Sequence, residues 1–110
     1  MKSVAFKTLL VVTVSAFASS AWAEESGNVK DGFRFALSVC AECHAVRDGE
    51  RASPKAQAPS FTSVANTAGM NAMALEVWFQ TPHPTMPNLK FSNQESDDVI
   101  AYILSLRKRQ

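Results

Sequence analysis

Apolar residues recur at helical spacing in three stretches of the chain, and nowhere do they alternate with polar ones in the period-two pattern of a strand. The first stretch puts Val29, Phe33, Ala36, Leu37 and Cys40 on one face at steps of three and four. The second, Met70-Asn71-Ala72-Met73-Ala74-Leu75-Glu76-Val77-Trp78-Phe79, reads as a short helix with Met73 and Val77 on its packed side and Met70 beside them. The third sets Val99, Tyr102, Ile103 and Leu106 in one stripe that Ile100 and Leu104 widen. Its start is the best marked: Ser92-Asn93-Gln94-Glu95 has the form of a capping box, with Asp97 and Asp98 expected in the positive first turn and Arg107, Lys108 and Arg109 in the last. The pattern predicts an all-α fold of three main helices, about 28–41, 70–80 and 93–107, a minor helical turn near Phe61 to Ala65, and no sheet.

The first residues fit no part of that pattern. Lys2 and Lys7 precede an apolar run, Thr8 to Phe17, and Ala21-Trp22-Ala23 supplies the small residues of a cleavage site, so 1–23 reads as a secretory signal peptide cut before Glu24. A retained anchor is the competing reading, but Thr8 to Ala23 falls short of the roughly 18 apolar residues of a membrane span and is broken by Ser15, Ser19 and Ser20. Residues 24–110 then make one domain of 87 residues with nine basic and ten acidic side chains, a formal charge of −1. Such a balance lacks the basic stripe of a nucleic-acid binder. A chain this short builds a marginal core and usually needs a staple.

The staple is suggested by Cys40-Ala41-Glu42-Cys43-His44, a C-x-x-C-H run of the kind that attaches a c-type haem. Two thiols three residues apart can bond the two vinyl groups along one haem edge, and His44 can reach the iron from the same turn. Three other readings compete. A disulfide between Cys40 and Cys43 would close so short a loop that it staples little. A thioredoxin-like pair should follow a strand and open a helix, whereas this pair closes a helical pattern. A zinc site needs four ligands, and His83 is the sole other histidine.

A haem iron held by His44 has a second axial position, whose occupant decides between electron exchange and ligand chemistry. Met70, Met73, Met86 and His83 are the candidates. Met70 and Met73 fall in the second helical stretch, where methionine is more often gap-filling core. Met86 lies in Thr81-Pro82-His83-Pro84-Thr85-Met86-Pro87, where three prolines forbid a helix and stiffen the loop. On ligand type and rigidity Met86 ranks first, His83 next and the helical methionines behind.

The C-x-x-C-H run, Ala58-Pro59-Ser60-Phe61, Trp78-Phe79-x-x-Pro82, Met86-Pro87 and the closing Asp98-Val99-Ile100-Ala101-Tyr102 together resemble the class I cytochromes c, most closely the small soluble periplasmic cytochromes of proteobacteria. The likeness runs in order over about residues 28–107. It implies that Pro59 lends its carbonyl to the other ring nitrogen of the axial histidine, although an ordinary loop proline would look the same. It implies a place for Trp78 beside the haem on the methionine side, with plain core packing equally open. Gly32, costly inside a helix by about 1 kcal/mol, fits a crossing of first and last helices in which Gly32 and Ala36 meet Val99 and Tyr102; a helix that starts later, with Gly32 in its first turn, is the alternative. Members of the family often ring the haem edge with lysines, but here Arg47, Arg51, Lys55 and Lys90 are interleaved with Glu42, Asp48 and Glu50, which predicts weak electrostatic steering.

The expectation from sequence is therefore a monomeric periplasmic electron carrier, not an enzyme, with one covalent haem c held by Cys40, Cys43, His44 and Met86. Its partners would be redox proteins such as a membrane or periplasmic oxidase, reductase or dehydrogenase. The rival is a haem-based ligand binder or peroxidase-like protein with a labile sixth ligand; a weaker third reading is an electron-relay subunit of a larger oxidoreductase.

Overall fold

A computed structural model describes residues 27–108, so the signal-peptide expectation for 1–23 and the side chain of Arg109 lie outside the described residues. Its helices are α1 (Val29–Phe35), α2 (Phe61–Ala65), α3 (Ala72–Gln80) and α4 (Asn93–Ser105). α1 runs on without a break into one π-helical turn, Ala36–Cys40, closed by the Ala41 N–H on the Ala36 carbonyl at 2.9 Å. No strand occurs among the described residues; an isolated antiparallel bridge joins His83 and Met86.

Each start has a physical cause. Asn28 caps α1 by accepting from the N–H groups of Lys30 and Asp31, Ser60 caps α2 through Ser63, and Asn71 caps α3 through Ala74. At α4 the expected capping box is complete: the Ser92 hydroxyl accepts from Glu95 N–H, and the Glu95 carboxylate accepts from Ser92 N–H at 2.7 Å.

α1 and α4 form the principal helix contact. Gly32 is buried at their crossing, where a Cβ would stand 1.9 Å from the Asp98 carbonyl oxygen, and Ala36 one turn on is 0% exposed. This is the close approach that a small residue was expected to allow. Ile103, Val99, Tyr102 and Leu106 of α4 face the core with Phe61, Ala65 and Leu75 from the shorter helices. Phe91, in the segment before α4, meets Phe35 and Phe79 edge-on at 5.5 and 5.3 Å and so ties α3 to the end of α1.

Three local expectations are corrected. Met73 and Val77 are 78% and 57% exposed; α3 buries Leu75 and half-buries Phe79 instead. Nearly every residue of α3 is apolar, so periodicity does not select a face, and the choice is made by Ser96 of α4 donating to Glu76 at 2.7 Å. Asp97 and Asp98 fall in the second turn of α4, leaving Glu95 as the first-turn acid. Arg107 and Lys108 lie past the helix end, where Arg107 donates to the carbonyls of Ala65 and Met70 and the Lys108 N–H to Asn66. The Arg107 side chain and the Lys108 backbone thus tie the end of α4 to α2 and the segment after it rather than complement a dipole.

Asp98 is buried and accepts from Asn28 N–H at 2.7 Å and from Gln94 Nε2 at 2.8 Å. Asp98→Ala removes both bonds and leaves the Asn28 amide without its acceptor. The expected cost is about 1–3 kcal/mol in denaturant titrations, with Asp98→Asn recovering part of it.

Candidate functional site

The π turn delivers Cys40 at the end of the first helical segment, and a short turn completed by Cys43 and His44 N–H groups on the Cys40 carbonyl, at 3.1 and 2.9 Å, folds the rest of the C-x-x-C-H run back over it. Both thiols are half-buried and no disulfide joins them. Burial, aided by the neighbouring Cys43, pushes the Cys40 thiol up to about 11, so it stays protonated at neutral pH. Among the described residues no three His, Cys, Asp or Glu side chains gather as a metal site, and no helix is long and apolar enough to cross a membrane.

His44 is the best-positioned side chain of the group. Its Nδ1 lies 2.6 Å from the Pro59 carbonyl oxygen, which makes Nδ1 the protonated nitrogen and leaves Nε2 with a lone pair for a metal. Pro59 can aim that carbonyl because the next residue, Ser60, begins α2, and Phe61 N–H donates to Ala45 O at 2.9 Å, pinning the two segments together. The Phe61 ring tilts against the imidazole at 5.4 Å between centroids.

Sequence reading missed the groups that hold the chain just after His44. Ser53 accepts from Ala45 N–H at 2.9 Å, and the Tyr102 hydroxyl donates to the Val46 carbonyl at 2.5 Å inside the core. Burial raises the Tyr102 pKa above its ordinary value, with Asp48 and Glu50 adding to the shift and Arg47 opposing it, so this donor keeps its proton. Tyr102 was legible as core from its spacing; its hydroxyl contact spans 56 positions and left no local signal.

The proline-rich segment forms a second cluster. Met86 is half-buried, and its backbone pairs with that of His83. His83 sets its ring edge-on to Trp78 at 4.7 Å. Trp78 itself is 55% exposed, which corrects the alternative of plain core packing. The same small pocket is lined by Trp78, Phe79, His83, Met86, Leu89 and Phe91 among others, and its lining has no acid and no base besides His83. Here the His83 Nδ1 is buried without a hydrogen-bond partner among the described residues. A haem fits this chemistry: paired thiols three residues apart, an imidazole with one nitrogen engaged and one available, and a thioether on a stiff loop.

Comparison with known proteins agrees in kind. The family model described as Cytochrome c matches residues 29–107. Searches of curated proteins and of solved structures found no match.

Proposed function

The chain belongs to the cytochrome c family, and from that premise we propose that it is an exported, single-haem electron carrier with histidine and methionine as axial ligands. Residues 1–23 would direct export to the periplasm and be removed, leaving 24–110 as the working protein. When bound, the haem supplies an iron that alternates between ferrous and ferric states. Cys40 and Cys43 would carry it through thioether bonds. His44 would bind the iron through Nε2 while Pro59 accepts from Nδ1–H, an arrangement that fixes the ring's orientation and raises its basicity. Met86 would close the other face with a soft thioether, which favours the ferrous state and keeps small ligands off the metal. Pro82, Pro84 and Pro87 stiffen its loop, which turns at Pro84 and Thr85 so that His83 and Met86 bridge rather than running extended, and little chain entropy is lost each time the bond re-forms.

The observation that carries this reading is the 2.6 Å contact between His44 Nδ1 and Pro59 O within a C-x-x-C-H run. The test is the ferric spectrum of haem-loaded protein, wild type and Met86→Ala. The wild type should be low-spin with the weak sulfur-to-iron charge-transfer band. Met86→Ala should keep its haem, lose that band, fall in potential and react faster with peroxide. High-spin iron in the wild type at neutral pH would favour the ligand-binding rival; loss of the band in Met70→Ala or Met73→Ala but not Met86→Ala would move the ligand to Met73 of α3 or to Met70 ahead of its cap.

A further inference from the structure

We infer that Phe61 is a positioning residue for the axial ligand: its ring, set against His44, holds the plane in which the imidazole would meet the iron. The inference rests on the proposed ligation by His44 and deepens it.

The Pro59 carbonyl engages His44 at one atom, Nδ1, at 2.6 Å. That bond aims the ring, but it restrains rotation about the metal bond only weakly. Nδ1 lies near the axis on which an imidazole turns when a metal sits at Nε2, so a turn moves Nδ1 little and barely stretches its hydrogen bond. The ring carbons Cδ2 and Cε1 sweep the wider arc, and a neighbouring surface opposes the turn by blocking it. Phe61 supplies such a surface: its ring stands 5.4 Å from the imidazole between centroids and is inclined to it by 51°.

A surface positions a ligand only if it is itself held. Phe61 is 5% exposed and opens α2 directly after the Ser60 cap. Its N–H donates to the carbonyl of Ala45, the residue that follows His44, so the two rings are joined through backbone one residue away. It also meets the Tyr102 ring at 6.4 Å and 51°, and the Tyr102 hydroxyl donates to the Val46 carbonyl. Residues 44, 45 and 46 are thus tied in turn to Pro59, Phe61 and Tyr102. A side chain packed in this way has no room to follow a turning neighbour.

The plane matters to an electron carrier. Rotation of an axial imidazole changes which iron d orbital its π electrons meet, and with it the direction in the macrocycle along which the ferric unpaired electron spreads. Groups that hold the ring therefore tune the metal as well as the ligand.

Haem-loaded protein tests this in the ferrous, diamagnetic state, where Overhauser contacts from the His44 ring protons to the meso protons of the macrocycle locate the ring plane. In the wild type they should define one plane, and the His44 ring should also show contacts to the Phe61 ring. Phe61→Leu keeps apolar bulk and loses the flat face: the contacts should spread to neighbouring meso positions, and the paramagnetic shifts of the ferric ring methyls should change their pattern. Phe61→Tyr keeps the ring and should return both readouts towards the wild type. Val99→Ala, a cavity opened on the core face of α4, should lower the melting temperature and leave the plane where it was, which separates positioning from packing. The sulfur-to-iron band should persist in all of them. An unmoved plane in Phe61→Leu, a tyrosine variant that behaves like the leucine one, or a plane that moves as far in Val99→Ala overturns the inference and leaves Phe61 a core residue. The wild-type contact between the two rings is an independent measurement, and its absence overturns the inference even where no variant folds. A wild type whose His44 ring protons touch no meso proton defeats the ligation by His44 itself, and the inference with it.

Discussion

Cys40→Ala combined with Cys43→Ala should yield a polypeptide with helical content but no fixed tertiary packing: near-ultraviolet dichroism should vanish and melting should lose its cooperativity. The reason lies in how little core the described residues make by themselves. Ile103 and Val99 are the largest side chains enclosed almost completely, and four of the twelve buried apolar residues are alanines. Met73, Val77 and Trp78 meanwhile leave much of their apolar surface in water. At roughly 25 cal/mol per Å2 of buried apolar surface, a core of this size gives little to set against the conformational entropy of the 82 residues from 27 to 108. A macrocycle attached through Cys40 and Cys43, as proposed above, would add apolar area and an iron bond to His44. Native-like dichroism and a sharp melt in the double variant would contradict the expectation and show that the helices pack without help.

Gly32→Ala should be among the most damaging single substitutions outside the haem ligands. Its new methyl would lie 1.9 Å from the Asp98 carbonyl oxygen, 2.5 Å from that carbonyl carbon and 2.9 Å from Tyr102 Cβ. Two of these atoms are backbone, so no rotamer change relieves the overlap and α1 must move off α4. Alanine gains about 1 kcal/mol of helix propensity over glycine, and overpacking typically costs about 1–3 kcal/mol or more. Against backbone the second term should win. A net loss of about 2 kcal/mol lowers the melting temperature by roughly 8–16 °C in a domain of this length. Lys30→Ala, on the exposed side of the same helix, should change little. If Gly32→Ala melts at or above the wild type, the helix crossing is looser than described and the glycine has another cause.

How far the sequence foretold these features depended on whether the governing interaction was local. Ser92 and Glu95 announce α4 because both halves of a capping box lie within four residues. Gly32 could be read as a crossing point because glycine within a helical pattern carries a penalty that packing must offset. Periodicity failed on α3, where the apolar residues surround the helix and Ser96, far along the chain, selects the face. It also mislaid Arg107, whose carbonyl partners Ala65 and Met70 sit about 40 positions away. At the site, the C-x-x-C-H run and the stiffness of 82–87 were visible as composition. The hydroxyl of Tyr102 on the Val46 carbonyl was not, nor was the orphaned nitrogen of His83, because both belong to tertiary neighbourhoods rather than to spacing.

The contact of Asn28 with Asp98 joins positions 70 apart, and that separation bears on the order in which events happen. Closing so long a loop consumes chain entropy before any gain from helix packing arrives, so the docking of α4 on α1 should nucleate more slowly than the local turn from Cys40 to His44. The run from Cys40 to His44 has no such delay: its thiols and imidazole are neighbours in any conformation that forms one turn. Attachment of a haem there, if the proposed function holds, would have a time window in which the chain is still open, before the two helices close. Substitutions at Gly32 or Asp98 that slow or loosen that closure should lengthen the window, affecting the lifetime of the folded protein far more than the yield of haem attachment.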